Sequence, residues 1–90
     1  MLEIVKLALR VKGTAFDAEI FALVAAAVAD LIAVGVDASE ATDNARIKQA
    51  IVLYCKAYFG YDNPNAERYR VSYEMLRISL ALDGGVPDVG

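Results

Sequence analysis

The chain has 90 residues, 58% hydrophobic and 23% charged, with a net charge of −3. That length holds one folding unit, which excludes a two-domain enzyme, and so apolar a composition excludes global disorder. With no histidine, no tryptophan and one cysteine, Cys55, the chain lacks an internal disulfide, a thiolate zinc knuckle and an imidazole base, and it fits a reducing, cytosolic setting.

Four helical patterns follow one another along the chain, and no period-two alternation is long enough to argue for a strand. The expected fold is all-α, a small bundle of one short helix and three longer ones over residues 1–82, with a flexible tail over 83–90. The first pattern, residues 2–11, sets Leu2, Val5 and Leu9 on one stripe against Glu3, Lys6 and Arg10, and Lys12-Gly13 supplies its stop. The second runs from about Phe16 to Val34, where Thr14 with Asp17 three residues later has the spacing of an N-terminal cap and Gly35 closes the helix.

This second helix carries more apolar surface than one face requires. Ile20, Val24, Ala27, Leu31 and Val34 form one stripe, and Phe21, Ala25, Val28 and Ile32 form another beside it. Two uses fit. The helix is buried all round at the centre of the bundle, or it keeps the second stripe for another subunit; the few partners in so small a domain favour the subunit contact. A transmembrane span is set aside, because the apolar run from Ile20 to Val36 is at the lower length limit and has Asp30 inside it. No basic-flanked signal peptide precedes it.

Residues 35–43 read as a polar loop. The third helix then starts near Asp43 as cap and puts Ile47, Ala50, Ile51, Tyr54 and Tyr58 on one face before Gly60 stops it. In the next link Asn63 has the character of an N-cap and Pro64 of a first helical residue. The fourth helix, to about Leu82, has a core stripe of Tyr69, Tyr73, Leu76 and Leu80, with Met75, Ile78 and Leu82 beside it and Arg70–Glu74 and Glu74–Arg77 spaced for surface ion pairs. Tyr54, Tyr58, Tyr69 and Tyr73 are expected to form the aromatic core of the hairpin between these two helices, in preference to a base-stacking platform. The closing segment holds Gly84, Gly85 and Pro87 and is expected to be flexible, with Val86 and Val89 as its only apolar anchors.

Charge is segregated along the chain: residues 1–12 carry +2, 13–45 carry −6, 46–82 carry +3 and 83–90 carry −2. Such a subunit suits head-to-tail pairing with copies of itself. Candidate catalytic chemistry is thin. Cys55, inside the third helix, reads as a small buried hydrophobe, and no spacing places a carboxylate pair, for example Asp17 with Asp43, on one face of one helix with apolar surroundings. No metal site, no cofactor site and no enzyme activity are expected.

The third and fourth helices carry a distinctive stretch, Asp43-Asn44-Ala45-Arg46-Ile47-Lys48-Gln49-Ala50-Ile51-Val52-Leu53-Tyr54, continuing through Cys55-Lys56-Ala57-Tyr58-Phe59-Gly60 to Pro64, with Glu67-Arg68-Tyr69 and Ser72-Tyr73 after it. With Phe16-Asp17-Ala18-Glu19-Ile20 opening the second helix, the chain resembles the small head–tail connector, or adaptor, proteins of long-tailed phages and prophages. The resemblance implies a structural ring, usually dodecameric, beneath the portal of the filled capsid. It would extend the DNA channel without binding DNA specifically and offer a platform for the tail or stopper protein, in the virion and, during assembly, in the host cytoplasm. It also implies a portal-contacting role for the tail, with Val86, Pro87 and Val89 as contacts. A small helical DNA-binding or regulatory module, with the third helix reading DNA, is the competing reading, but Arg46, Lys48 and Lys56 are few for duplex contact.

Overall fold

A computed structural model describes residues 1–38, 44–60 and 63–84, and the described residues form four helices with no strand. They are α1 (Leu2–Leu9), α2 (Asp17–Ala33), α3 (Ala45–Tyr58) and α4 (Ala66–Gly84). α4 continues to Gly84, two residues past the expected end at Leu82. The rest of the expected tail, including Val86, Pro87 and Val89, lies outside the described residues, as do Asp43 and Tyr61.

The breaks between helices are local chemistry, and several differ in detail from the sequence expectation. α1 stops at Leu9, ahead of Lys12-Gly13, because Arg10 takes the left-handed conformation with φ 60°. Val11 N–H then bonds the Lys6 carbonyl at 3.0 Å, which closes the helix in a Schellman-type turn. A left-handed residue bearing a Cβ costs about 1–2 kcal/mol relative to glycine. Arg10→Gly should therefore raise the unfolding free energy by about 1 kcal/mol in urea melts, less what the looser unfolded chain takes back. Unchanged or lowered stability would show that the arginine side chain compensates the strain.

α2 begins without the expected capping box. Phe16 is its N-cap and makes no side-chain cap bond, and Asp17 N–H bonds the Thr14 carbonyl at 3.2 Å. The Asp17 carboxylate turns to α1 instead, where Lys6 Nζ lies 2.7 Å from its Oδ1 while donating to the Gly13 carbonyl. At the other end Gly35, φ 89°, is the left-handed residue that the sequence places there, and Val36 N–H reaches back to the Leu31 carbonyl at 3.0 Å. α3 is capped by Asn44, one residue after the expected Asp43. Asn44 Oδ1 accepts from the N–H groups of Arg46 and Ile47 at 2.9 and 3.2 Å. Adjacent Asp and Asn are equally good caps, and the residue just before the first helical one takes the role.

Asn63 organises the α3–α4 link. Its Oδ1 accepts from Asn65 N–H at 3.1 Å and its Nδ2 donates to the Lys56 carbonyl at 2.6 Å, tying the start of α4 to the last turn of α3. The helix proper then begins at Ala66, two residues after Pro64, because the Asn63–Ala66 segment closes a tight turn first.

α3 is the central helix. It packs against all three others, and it buries Ile47, Ala50, Ile51, Val52, Cys55 and Ala57. This decides a question that the second helix left open: the element covered on most sides is α3, and α2 buries only Ile20, Ala27 and Leu31. Val5 from α1, Val36 and Ala38 after α2, and Tyr73 and Leu80 from α4 complete the core. An edge-to-face contact of Phe16 with Phe59, at 5.6 Å, fastens the start of α2 to the end of α3.

Candidate functional site

Besides the Lys6–Asp17 pair between α1 and α2, a second polar cluster joins α2 to α4. Asp30, the acid in the middle of the apolar α2, accepts a hydrogen bond from the Tyr73 hydroxyl of α4 and lies 3.4 Å from Arg77 Nη1. Arg77 Nη2 also lies 3.9 Å from Glu74. Burial and the contact with Asp30 push the Tyr73 hydroxyl well above the usual tyrosine range, which keeps it a neutral donor. The arrangement cross-links α2 to α4 over the side of α3. With Tyr73 only 3% exposed and its hydroxyl engaged by Asp30, the cluster ties α2 to α4.

The four tyrosines of the α3–α4 hairpin divide. Tyr54 meets Tyr58 at a tilt of 45° with ring centres 4.6 Å apart and Tyr73 edge-on at 5.2 Å, so three of the four share one aromatic group. Tyr69 stands apart from it, with Lys56 Nζ 5.3 Å over its ring. Tyr58 remains half in solvent. Cys55 is wholly buried and its thiol is pushed up to about 12 by that burial, far from the range of a nucleophilic thiolate. Among the described residues no three cysteine, aspartate or glutamate side chains come together to hold a metal ion. α3, the helix that a DNA-reading module would place in a groove, is covered by its neighbours. Arg46 donates to Ser79 of α4 and Lys56 lies over Tyr69, so two of its three cations are engaged with α4.

What the surface does offer is apolar. On α2, Phe21 is 62% and Ile32 53% exposed, Ala25 is exposed, and Val28 is half-buried against the core. The second stripe of α2 is thus divided: three of its members face outward, and Val28 already has neighbours within the subunit. A larger outward stripe belongs to α4. Val71, Met75, Ile78 and Leu82 are 47–68% exposed and, at spacings of four, three and four, fall on the side opposite Tyr73 and Leu80. A shallow open groove, lined by Arg70, Val71, Glu74, Met75 and Ile78, runs along its first part. α1 adds Ile4 and Leu7, the latter 80% exposed.

The α4 stripe was visible in the sequence as Met75, Ile78 and Leu82, yet nothing local says that it faces outward. That follows from Tyr73 and Leu80 being the pair that reaches α3. The partnership of Asp30 with Tyr73 and Arg77 was signalled only by the cost of an acid in an apolar helix, which demands some partner without naming it. The expected Arg70–Glu74 pair is replaced by Arg70 with Glu67, one turn the other way, while Glu74 goes to Arg77.

In comparison with known proteins, the family model described as Phage connector protein aligns with residues 1–86. No curated protein and no solved structure matches the chain.

Proposed function

The chain belongs to the phage connector protein family, and from that premise we propose that it is a ring-forming subunit at the head–tail junction of a phage or prophage particle. The ring, dodecameric in the reading suggested by the family, would sit below the portal, prolong the DNA channel and present its far side to the tail or stopper protein. The observation that carries this reading is the family match over almost the whole chain, joined to apolar faces on α2 and α4 that the subunit does not cover itself. Self-association is the ordinary fate of such faces. An acidic chain, net charge −3, also suits a channel for DNA, since few cations are available to hold phosphates by counterion release. Among the described residues no helix is long and apolar enough to cross a membrane. The subunit is assigned to the virion, after assembly in the host cytoplasm.

Residues 85–90, with Val86, Pro87 and Val89, are assigned to the portal contact. The experiment compares full-length chain with a chain ending at Gly84 in co-sedimentation with DNA-filled, portal-bearing heads, alongside particles made without the chain. The expected results are stoichiometric attachment of the full chain, weaker attachment of the truncated one, and filled heads without tails when the chain is missing. Tailed particles in normal number without the chain would remove the connector function. Undiminished attachment of the truncated chain would remove only the tail from the contact.

A further inference from the structure

We propose that the outward face of α4 in one subunit packs, parallel and head to tail, on the outward face of α2 in the next copy of the chain. The proposal rests on the ring reading above and deepens it by naming the two surfaces that meet.

α2 and α4 both lean on α3, and each presents an apolar stripe on the side away from its own core residues. Two exposed stripes on the two flanks of a central helix form a surface and a counter-surface on one molecule, the requirement for a heterologous contact that repeats around a ring. Their lengths match. Phe21 to Ile32 and Val71 to Leu82 are each twelve residues, about 16 Å of helix from end to end.

Their relief is complementary as well. Between Phe21 and Ile32 the exposed positions of α2 are alanines, Ala22, Ala25, Ala26 and Ala29, a flat floor closed at both ends by a large side chain. The α4 stripe is all large side chains. Floor on floor leaves voids and large on large keeps the helices apart, whereas large side chains on an alanine floor reach interior packing density.

Charge selects the direction. Glu19, on the edge of the α2 face just before Phe21, and Arg68, three residues before Val71, are both exposed and have no partner among the described residues. Parallel packing brings these opposite charges to the same end, while antiparallel packing would set Glu19 at the far end of the α4 stripe from Arg68 and leave both charges without a partner. The face of α1, with Ile4 and Leu7, is shorter and has no such counterpart.

The test is disulfide trapping between differently labelled subunits, all carrying Cys55→Ala so that no other thiol is present. Phe21→Cys mixed with Val71→Cys should give a cross-linked dimer under mild oxidation, and each alone should give none. Phe21→Cys mixed with Leu82→Cys, about 16 Å out of register, should also give none. All three positions are exposed, so the subunits should keep the helical spectrum and melting temperature of the Cys55→Ala parent. Cross-linking of either single variant with itself would mean like faces meet, and a Phe21–Leu82 product would mean an antiparallel pair; both overturn the proposal. The same mixtures are oxidised on portal-bearing heads. Bound subunits that give no Phe21–Val71 product overturn the contact but leave the ring reading standing, whereas subunits that never bind heads count against the ring reading itself.

Discussion

Leu31→Ala should lower the unfolding free energy of the subunit by about 3 kcal/mol, with a fall in melting temperature of about 15 °C. Leu31 is 0% exposed and lies in the core cluster with Val36, whose N–H closes the α2 terminus on the Leu31 carbonyl. Truncation leaves a cavity that the surrounding helices fill only in part, and it also loosens the turn that starts the chain toward α3. The adjacent residue gives the control. Ile32 is 53% exposed, so Ile32→Ala should change the stability of a single subunit by under about 0.5 kcal/mol. Urea melts of the two variants below the assembly concentration measure the difference. Equal losses would mean that α2 is rotated about its axis from the orientation described, with the second stripe in the core.

Alkaline pH should destabilise the subunit by about 1.4 kcal/mol for each pH unit between pH 9 and pH 12. The cause is Cys55, whose thiol is raised from 9.0 to about 12 by burial. A group with a raised folded pKa contributes stability that is complete below its unfolded value and is lost as pH rises toward the folded one, so the loss starts near pH 9. Tyr73, raised from 10.0 by burial and by its bond to Asp30, adds to the loss above pH 10. Cys55→Ala should be less stable than the parent by about 1 kcal/mol at pH 7, through a small cavity, yet flatter with pH. The two stability curves should cross near pH 10. Chemical denaturation between pH 7 and pH 11 checks this, and parallel curves would show that Cys55 ionises in the folded subunit as readily as in the unfolded chain.

Much of the fold was legible from the residues alone because the relevant signals are local. The stops at Gly35 and Gly60 need only a positive φ, which glycine takes freely, and both have it, at 89° and 86°. The burial of Val5, Ile20, Leu31, Ile51 and Leu80 follows from helical spacing. Local signals were also where small errors entered. Lys12-Gly13 and Arg10 are close competitors to end α1, and the choice of Arg10 depends on Lys6 turning to Gly13 and Asp17. The Thr14–Asp17 box yielded to the same ion pair, because a carboxylate engaged by Lys6 is not available to cap its own helix.

The candidate surfaces were only half legible. Phe21, Ala25, Val28 and Ile32 make one stripe on a helical wheel, yet Val28 packs inward while Ile32 is left in solvent. On spacing alone, Met75, Ile78 and Leu82 of the outward α4 stripe are expected beside the core stripe.

What the amino-acid sequence determined by itself is the all-α character, the number of helices, their approximate limits and the apolar nature of Cys55, since each depends on residues within a turn or two of one another. Only the tertiary structure decided that α3 is central, that Asp30 meets Tyr73 and Arg77 more than forty residues away, and which apolar stripe of α2 and of α4 is left outside. The physical reason is that burial of apolar area is non-directional: two stripes of similar hydrophobicity on one helix are nearly equivalent until another helix packs against one of them.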